Sequence, residues 1–499
     1  MALACRDGVN IISGKNVAMA TDIRAAELAA RLQRIPTSRA TWMLVILAAG
    51  ALVIEALDIG SLSIILPGVK ALWHLSPSQV GVLAASSALG IAVGMVPAGR
   101  LADRLGRKRL LVGGILWFCA GTMLAAASPN YTTLVLLRGL SGLGMAPVFI
   151  MPYSIVSEFV SATTRTAFAA VLETALGLGY MMPPLLGILV IPNFAPDVSW
   201  RVFLVIAGLP IVYVWIIVRY LPESPRWLSR VGRYDEAERI VSWFEQRVEA
   251  ATGRPLPVPV LAAETMVAVG GQRSVPTLSA LGTVWRPPYL MRTLAMICGA
   301  ISTFSMFYVG VNYVPSLFLE KQMGMTNALL FTLIITAVQI PGKILNGLIA
   351  ERVGRKVVYL IYTIPAAIGA YEFGQSSDKY EMLAWTCLFL FCASGAAPSY
   401  KMWYAEQYPT PIRATGQATV ESIGGRLFGG VIWTFLFPII VARYGMATTM
   451  TILAVMAVTT SLIVVVLAPE TYRRSVETLE AAVIGRTGAT AAVHPAQVR

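Results

Sequence analysis

From about residue 43 to residue 468 the chain alternates long apolar runs with short polar breaks. Runs of this length match the ~20 residues that an α-helix needs to cross a bilayer, and are far too long for strands or ordinary core helices. Twelve such spans are expected, at 43–68, 79–100, 109–127, 131–157, 166–191, 200–220, 290–318, 328–350, 356–373, 381–404, 415–440 and 446–468. Between the sixth and seventh, Trp227, Val231, Tyr234, Val241, Phe244 and Val248 recur at near-helical spacing, which predicts an amphipathic helix lying under the bundle. The segment 22–34 (DIRAAELAARLQR) reads as a short surface helix on a solvated tail.

Composition fits this pattern. Of 499 residues, 56% are hydrophobic and only 13% charged, as in a polytopic membrane protein and unlike a soluble enzyme. The net charge of +13 comes from alternate loops. Arg104, Arg107, Lys108 and Arg109 lie between spans 2 and 3, and Arg352, Arg355 and Lys356 between spans 8 and 9. Arg226, Arg230, Arg233, Arg239 and Arg247 lie between spans 6 and 7. The other loops carry chiefly Lys70, Lys321, Lys379 and Arg443. The positive-inside rule then places both termini and the central loop in the cytoplasm. Cations confined to short loops argue against a nucleic-acid partner. Four of the five cysteines (Cys119, Cys298, Cys387, Cys392) fall inside spans without metal-ligand spacing, so neither a metal nor a cofactor is expected. The two histidines, His74 and His494, lie outside the spans, and no nucleophile–base pair is visible, so no catalytic residue is expected. The first 40 residues are polar, with no apolar core like that of a secretory signal.

The chain repeats itself. GRLADRLGRK (99–108) recurs as GLIAERVGRK (347–356), and the same offset carries Glu158 to Glu406, Arg165 to Arg413, Glu173 to Glu421 and Gly177 to Gly425. Pro222-Glu223 is echoed by Pro469-Glu470 one residue short of that offset. The expected fold is therefore an all-α polytopic membrane protein, with two pseudo-symmetric six-helix bundles around a central cavity near the bilayer midplane. The expected organisation is a tail (1–41), a first bundle (42–220), a cytoplasmic linker (221–289), a second bundle (290–468) and a second tail (469–499).

In GxxxDRxGRK, Gly99 and Gly106 permit close approach and a tight turn, while Asp103 can cap the next helix or bind a neighbouring arginine. This motif, together with RGLSGLGMAP (138–147), SEFVSATTR (157–165), PESPRWL (222–228), AEQYPTPIRATG (405–416) and PET (469–471), resembles the sugar-porter and organic-ion-transporter branch of the major facilitator superfamily. The resemblance implies secondary active transport by alternating access. It also implies cytoplasmic salt-bridge clusters that hold that side closed: Asp103, Arg107, Glu158, Arg165 and Glu223 in one half, and Glu351, Arg355, Glu406, Arg413 and Glu470 in the other.

Ionisable residues within spans are functional candidates because they are costly to keep idle in hydrocarbon. The acids are Glu55, Asp58, Glu173 and Glu421; the bases are Arg138, Lys343, Lys401 and Arg426. Glu55 and Asp58, spaced i, i+3, share a helix face. Two carboxylates so close in a low dielectric cannot both ionise easily, which suits a proton carrier. By resemblance, Asp58 is the protonation site and Arg138 its counter-ion; Glu55 is an open alternative, as is a static buried pair. Glu173 stands where sugar porters usually carry a glutamine, and it could couple a second proton or offset a cation.

Lys343, in VQIPGKILN, sits about 12 Å of helix rise from Glu351, so snorkelling competes with a site role. Arg426 lies mid-span among glycines. The resemblance extends to organic-anion carriers, in which such a lysine and arginine face the cavity and attract a negative substrate. Lys401 is expected to pair with Glu421 or to snorkel. Tyr308, Asn312, Tyr313, Gln339, Tyr400 and Trp403 are candidates to stack on or bond to a ring. The expected function is proton-coupled symport of a small organic anion by a monomer in a bacterial plasma membrane. A sugar or polyol symporter, a drug-efflux antiporter and a non-transporting sensor are the alternatives. Met306 and Phe307, where sugar porters carry paired glutamines, weigh against the sugar.

Overall fold

The computed structural model describes residues 23–160, 164–259, 277–320, 323–408 and 412–471. The expected loop cation Lys321 and most of the second tail lie outside the described residues. Eleven described helices are long and apolar enough to cross a bilayer. The last of these, Thr415–Leu467, is broken at Gly445, whose φ of 80° no helix accommodates, so it supplies two spans. The twelve expected spans are thereby accounted for.

A surface helix α1 (23–33) leads into α2 (Arg39–Leu72), α3 (Pro77–Leu105), α4 (Arg107–Ala125), α5 (Tyr131–Phe159), α6 (Arg165–Val190) and α7 (Pro196–Tyr220). The linker holds α8 (Pro225–Arg230), α9 (Tyr234–Thr252) and α10 (Thr277–Val284). The second half is α11 (Leu290–Glu320), α12 (Met325–Val353), α13 (Arg355–Gln375), α14 (Lys379–Glu406), α15 (413–444) and α16 (446–467).

Local chemistry sets several of these boundaries. Ser38 and Ser76 each close a capping box, with Thr41 and Gln79 respectively, and Asn130 and Asp378 cap α5 and α14. The two loop motifs turn at Gly106 (φ 97°, ψ 160°) and Gly354 (φ 94°, ψ 166°), an essentially glycine-only conformation that costs another residue about 1–3 kcal/mol. Gly90 and Gly142 let α3 and α5 pack backbone to backbone: a Cβ on Gly90 would meet the Gly139 carbonyl oxygen at 2.1 Å. From Glu421 to Trp433, α15 winds as a π-helix, a departure associated with functional segments.

Apolar side chains on the outer faces, among them Leu89, Trp117, Leu136, Trp215 and Val466, are exposed as lipid contact requires. Between the halves, α6 packs on α12, α3 on α15, and α2 on α11. The end opposite the loop motifs is drawn together. Lys70 reaches Glu320 at 3.5 Å, α3 meets α15 at Gly81 and Phe435, and α6 meets α12 at Gly187 and Leu329.

Two expectations require correction. The linker's amphipathic pattern forms two helices rather than one, because Gly232 takes φ 82° between them; Val231 is left exposed, while Trp227, Val241, Phe244 and Val248 are buried. The segment 22–34 is also no solvated tail. In the described part, Leu28 and Leu32 pack in one cluster with Phe159, Val241 and Phe244. Arg24 bonds Asp235 and Glu238, and Arg31 and Arg34 both bond Glu245. Burial pushes the Glu245 carboxyl up, but these two guanidinium groups outweigh it and hold it below the ordinary carboxylate value. Amphipathicity was visible in the sequence; its partner, more than 200 residues away, was not.

Candidate functional site

Three buried charge centres occupy the middle of the bundle. The first lies inside the N-terminal half. Asp58, from α2, accepts from both sides of its carboxylate: Arg138 Nη1 lies 3.0 Å from Oδ1 and 3.0 Å from Oδ2, and Thr122 donates to Oδ1. Arg138 Nη2 adds a bond to the Asp58 backbone carbonyl at 3.1 Å. Both residues are fully buried, so the ion pair ties α2, α4 and α5 in a dry environment. The predicted pairing of Asp58 with Arg138 is present; Thr122 had no signal in the sequence.

The second centre bridges the halves. Glu173, from α6, accepts from Lys401 Nζ at 2.7 Å and from the Tyr153 hydroxyl at 2.9 Å, and Lys343 Nζ stands 3.7 Å from its other oxygen. Lys343 also donates to the Glu173 backbone carbonyl at 3.4 Å. One acid of the first half thus holds two lysines of the second. This corrects the expectation for Lys401, which neither pairs with Glu421 nor snorkels. Lys343 is buried at 6% exposure, which rules out snorkelling here as well.

The third centre surrounds Arg426, on the π-helical part of α15. Its guanidinium lies 4.1 Å from the Phe149 ring centroid and donates to the Tyr308 hydroxyl, while its Nε has no hydrogen-bond partner. Arg426 is 3% exposed and neither of its contacts carries charge. Close by in electrostatic terms is Glu55, fully buried, with no hydrogen-bond partner among the described residues on either carboxylate oxygen. Gln339, 1% exposed, likewise has an unpartnered amide oxygen and nitrogen. Glu421 receives the Tyr404 hydroxyl at 2.8 Å on one oxygen and nothing on the other. Buried polar atoms are nearly always paired, so the unpaired ones on Arg426, Glu55 and Glu421 mark an unfinished site, while Gln339 lies one helical turn before Lys343 on α12.

Not every predicted site residue joins it. Tyr400 donates to the Met296 carbonyl and packs on Tyr359, and Trp403 donates to the Pro469 carbonyl at 3.0 Å. Both serve the packing of the second half. Tyr313 donates to the Thr434 carbonyl and stacks on Phe437. Asn312 is buried one helical turn beyond Tyr308. Sequence reading missed Phe149 and Tyr153; their i, i+4 spacing after Pro147 was the available signal. A groove of about 420 Å³ between α3, α5 and α15 is apolar, lined by Val82, Leu89, Leu136 and Phe435, and faces outward away from these charges.

At the motif end each half carries its own brace. Arg107 bonds Asp103 at 3.3 Å and Glu158 at 3.1 Å, and Asp103 also binds Arg230. Glu223 accepts the backbone N–H groups of Arg107 and Lys108, both at 3.0 Å, and so caps α4. The second half repeats this: Arg355 bonds Glu406 at 3.2 Å, and Glu470 accepts from the backbone of Arg355 and Lys356. Arg413 departs from the expected cluster by donating to the Tyr408 carbonyl. The side chains of Arg165 and Glu351 lie outside the described residues. The Arg107–Glu158 and Arg355–Glu406 pairs each stay within one half.

Comparison with known proteins supplies the wider setting. Residues 37–483 match the model of a family described as "Sugar (and other) transporter". The chain is 30% identical to the niacin transporter NiaP of Acinetobacter baylyi, across 91% of this chain and 99% of that protein. It is 26% identical to the 4-hydroxybenzoate transporter PcaK of Pseudomonas putida, across 80% and 85% of the two chains. In fold it resembles the inward-open xylose transporter XylE from E. coli, with a TM-score of 0.71 at 18% identity over 89% of this chain and all of that one. All of these are transporters and none is named as an enzyme.

Proposed function

This chain belongs to the sugar (and other) transporter family of the major facilitator superfamily, and from that premise we propose that it is a proton-coupled symporter of a small, aromatic or other organic carboxylate. The observation that carries this reading is Arg426: a buried guanidinium with only neutral contacts, beside aromatic rings and unpaired polar atoms. A guanidinium fork suits a carboxylate, and Phe149 and Tyr308 offer faces and edges to a ring. Lys343 adds positive potential, and the amide of Gln339, with Asn312, would serve a second polar group on the substrate. The names of two relatives, which specify niacin and 4-hydroxybenzoate, both describe ring carboxylates and support this class.

Coupling to protons is supported by the carboxylates of α2 and the Asp58–Arg138 pair. Transport proceeds by alternating access, the two halves rocking about the centre. The intact braces at the motif end keep each half rigid while it moves. The cation distribution puts the motif end, the linker and both termini in the cytoplasm. The bacterial relatives favour a bacterial inner membrane, with the chain acting as a monomer.

Proteoliposome uptake tests the reading. Labelled niacin or 4-hydroxybenzoate should accumulate under an inward proton gradient, and Arg426→Ala should abolish it, with Arg426→Lys restoring little. Gradient-independent flux removes the coupling claim. Xylose uptake that survives Arg426→Ala removes the anion claim.

A further inference from the structure

We infer that Glu55, and not the ion-paired Asp58, takes up the transported proton, and that this protonation turns a charge-balanced centre into an anion receptor. The inference rests on the symport reading above and names the group on which it turns.

The two carboxylates are equally buried and one helical turn apart, yet their surroundings differ completely. Asp58 is saturated with donors. A proton on it would strand Arg138, fully buried, without an acid. Glu55 has no donor on either oxygen. An ionised carboxylate in that state is among the most costly a protein can hold, and a proton removes the charge while leaving an O–H free to donate.

The titratable groups near Glu55 come from six helices. They are Asp58 on α2, Tyr153 on α5, Glu173 and Tyr180 on α6, Tyr308 on α11, Lys401 on α14 and Arg426 on α15. Of the two cations, Lys401 is taken by Glu173, and Arg426 rests on Tyr308 and Phe149. Neither bonds Glu55, although each is near enough to be felt.

The charges around it balance. Glu55, Asp58, Glu173 and Glu421 offset Arg138, Lys343, Lys401 and Arg426 when all are ionised. Asp58 answers Arg138, and Glu173 lies against both lysines. When Glu55 binds a proton from water, one positive charge is left without an answering acid. Arg426 is the cation with no carboxylate bonded to it, so the excess resides there. An organic anion then restores neutrality. The loaded centre carries one proton and one anion, and transport is electroneutral. Glu421, with one free oxygen, is the rival proton site.

Binding and transport of niacin by the purified protein test this. In the wild type, apparent Kd should rise about tenfold per pH unit above the pH at which Glu55 loses its proton, because only the protonated form binds. Glu55→Gln, a neutral mimic of the protonated form, should bind with pH-independent affinity. It should also keep niacin counterflow while losing gradient-driven accumulation. Retention of both the pH dependence and the accumulation in Glu55→Gln overturns the inference, as does their loss in Glu421→Gln instead. A second measurement needs no variant. Adding niacin to the wild type in weak buffer should take up one proton per anion bound, and a potassium–valinomycin potential should leave steady-state accumulation unchanged. No proton uptake, or accumulation driven by the potential, overturns it. A wild type that neither binds nor carries a ring carboxylate refutes the symport reading and this inference together. Coupled transport indifferent to Glu55→Gln refutes the inference alone.

Discussion

Glu173→Gln isolates the contact by which the two halves hold each other at mid-membrane. Glutamine keeps the size of the side chain and an oxygen for Tyr153, and removes only the charge. At an effective dielectric constant of ~20, a pair near 4 Å attracts by about 4 kcal/mol before desolvation. Two such pairs are made here, with Lys401 at 2.7 Å and Lys343 at 3.7 Å. Most of that attraction offsets the cost of burying three charged groups, so the net worth of the cluster is small. Removing one partner is different: it leaves two buried ammonium groups unanswered, a loss of about 3–5 kcal/mol. Lys401 is partly accessible and relaxes towards water or Glu421, so about 3 kcal/mol is expected, or a factor of roughly 100. A substrate carboxylate can collect that energy. Niacin affinity in Glu173→Gln should therefore rise by up to about 100-fold, measured by equilibrium binding. Net uptake should slow, because the empty carrier has lost its clasp between halves. An affinity within about twofold of wild type, in protein that elutes as a single folded species, would refute the argument that positive charge released from Glu173 becomes available to the substrate's carboxylate.

Three further outcomes follow from other contacts. Asp58→Asn alone should cost about 3–5 kcal/mol, because Arg138 is left buried and unpaired, and Asp58→Asn with Arg138→Gln should recover much of that; thermal unfolding in detergent reads both. Gly106→Ala should lower stability by about 1–3 kcal/mol for its backbone conformation, with a further loss because the new Cβ would collide with the Glu223 carboxylate; the same unfolding measurement applies. The folded-state value of Glu245 is lowered, so its contribution is present above the unfolded carboxylate value and disappears as pH falls through the folded one. Protection of the amides of residues 23–35 relative to their intrinsic exchange rates should be high at neutral pH and fall below about pH 4, and Glu245→Ala should lower it at neutral pH and have little effect at acid pH.

The membrane fold was legible because bilayer thickness imposes one length on every span, and the repeat was legible because the same chain segment was used twice. The loop motifs carried through in part: Gly106 makes the expected tight turn, with φ 97°, whereas a Cβ on Gly99 would meet no described atom within 4 Å, so no close approach is made there. The list of buried ionisable residues came from sequence too, since a charge in an apolar run needs no structure to be noticed. Of their pairings, only Asp58 with Arg138 was foreseen, by resemblance; the others were not in the sequence. Lys401 and Glu173 are separated by 228 positions, and only the packing of α6 against the second half brings them to 2.7 Å. Helical spacing could place Glu55 and Asp58 on one face of α2. It could not tell that Asp58 bonds Arg138 and Thr122 while Glu55 bonds no described group. Tyr400 and Trp403 look like site residues by type and become packing residues by contact. What a side chain is can be read along the chain; what compensates it depends on neighbours set by the three-dimensional packing of helices, and in a membrane interior that compensation decides which charges are structural and which are free to act.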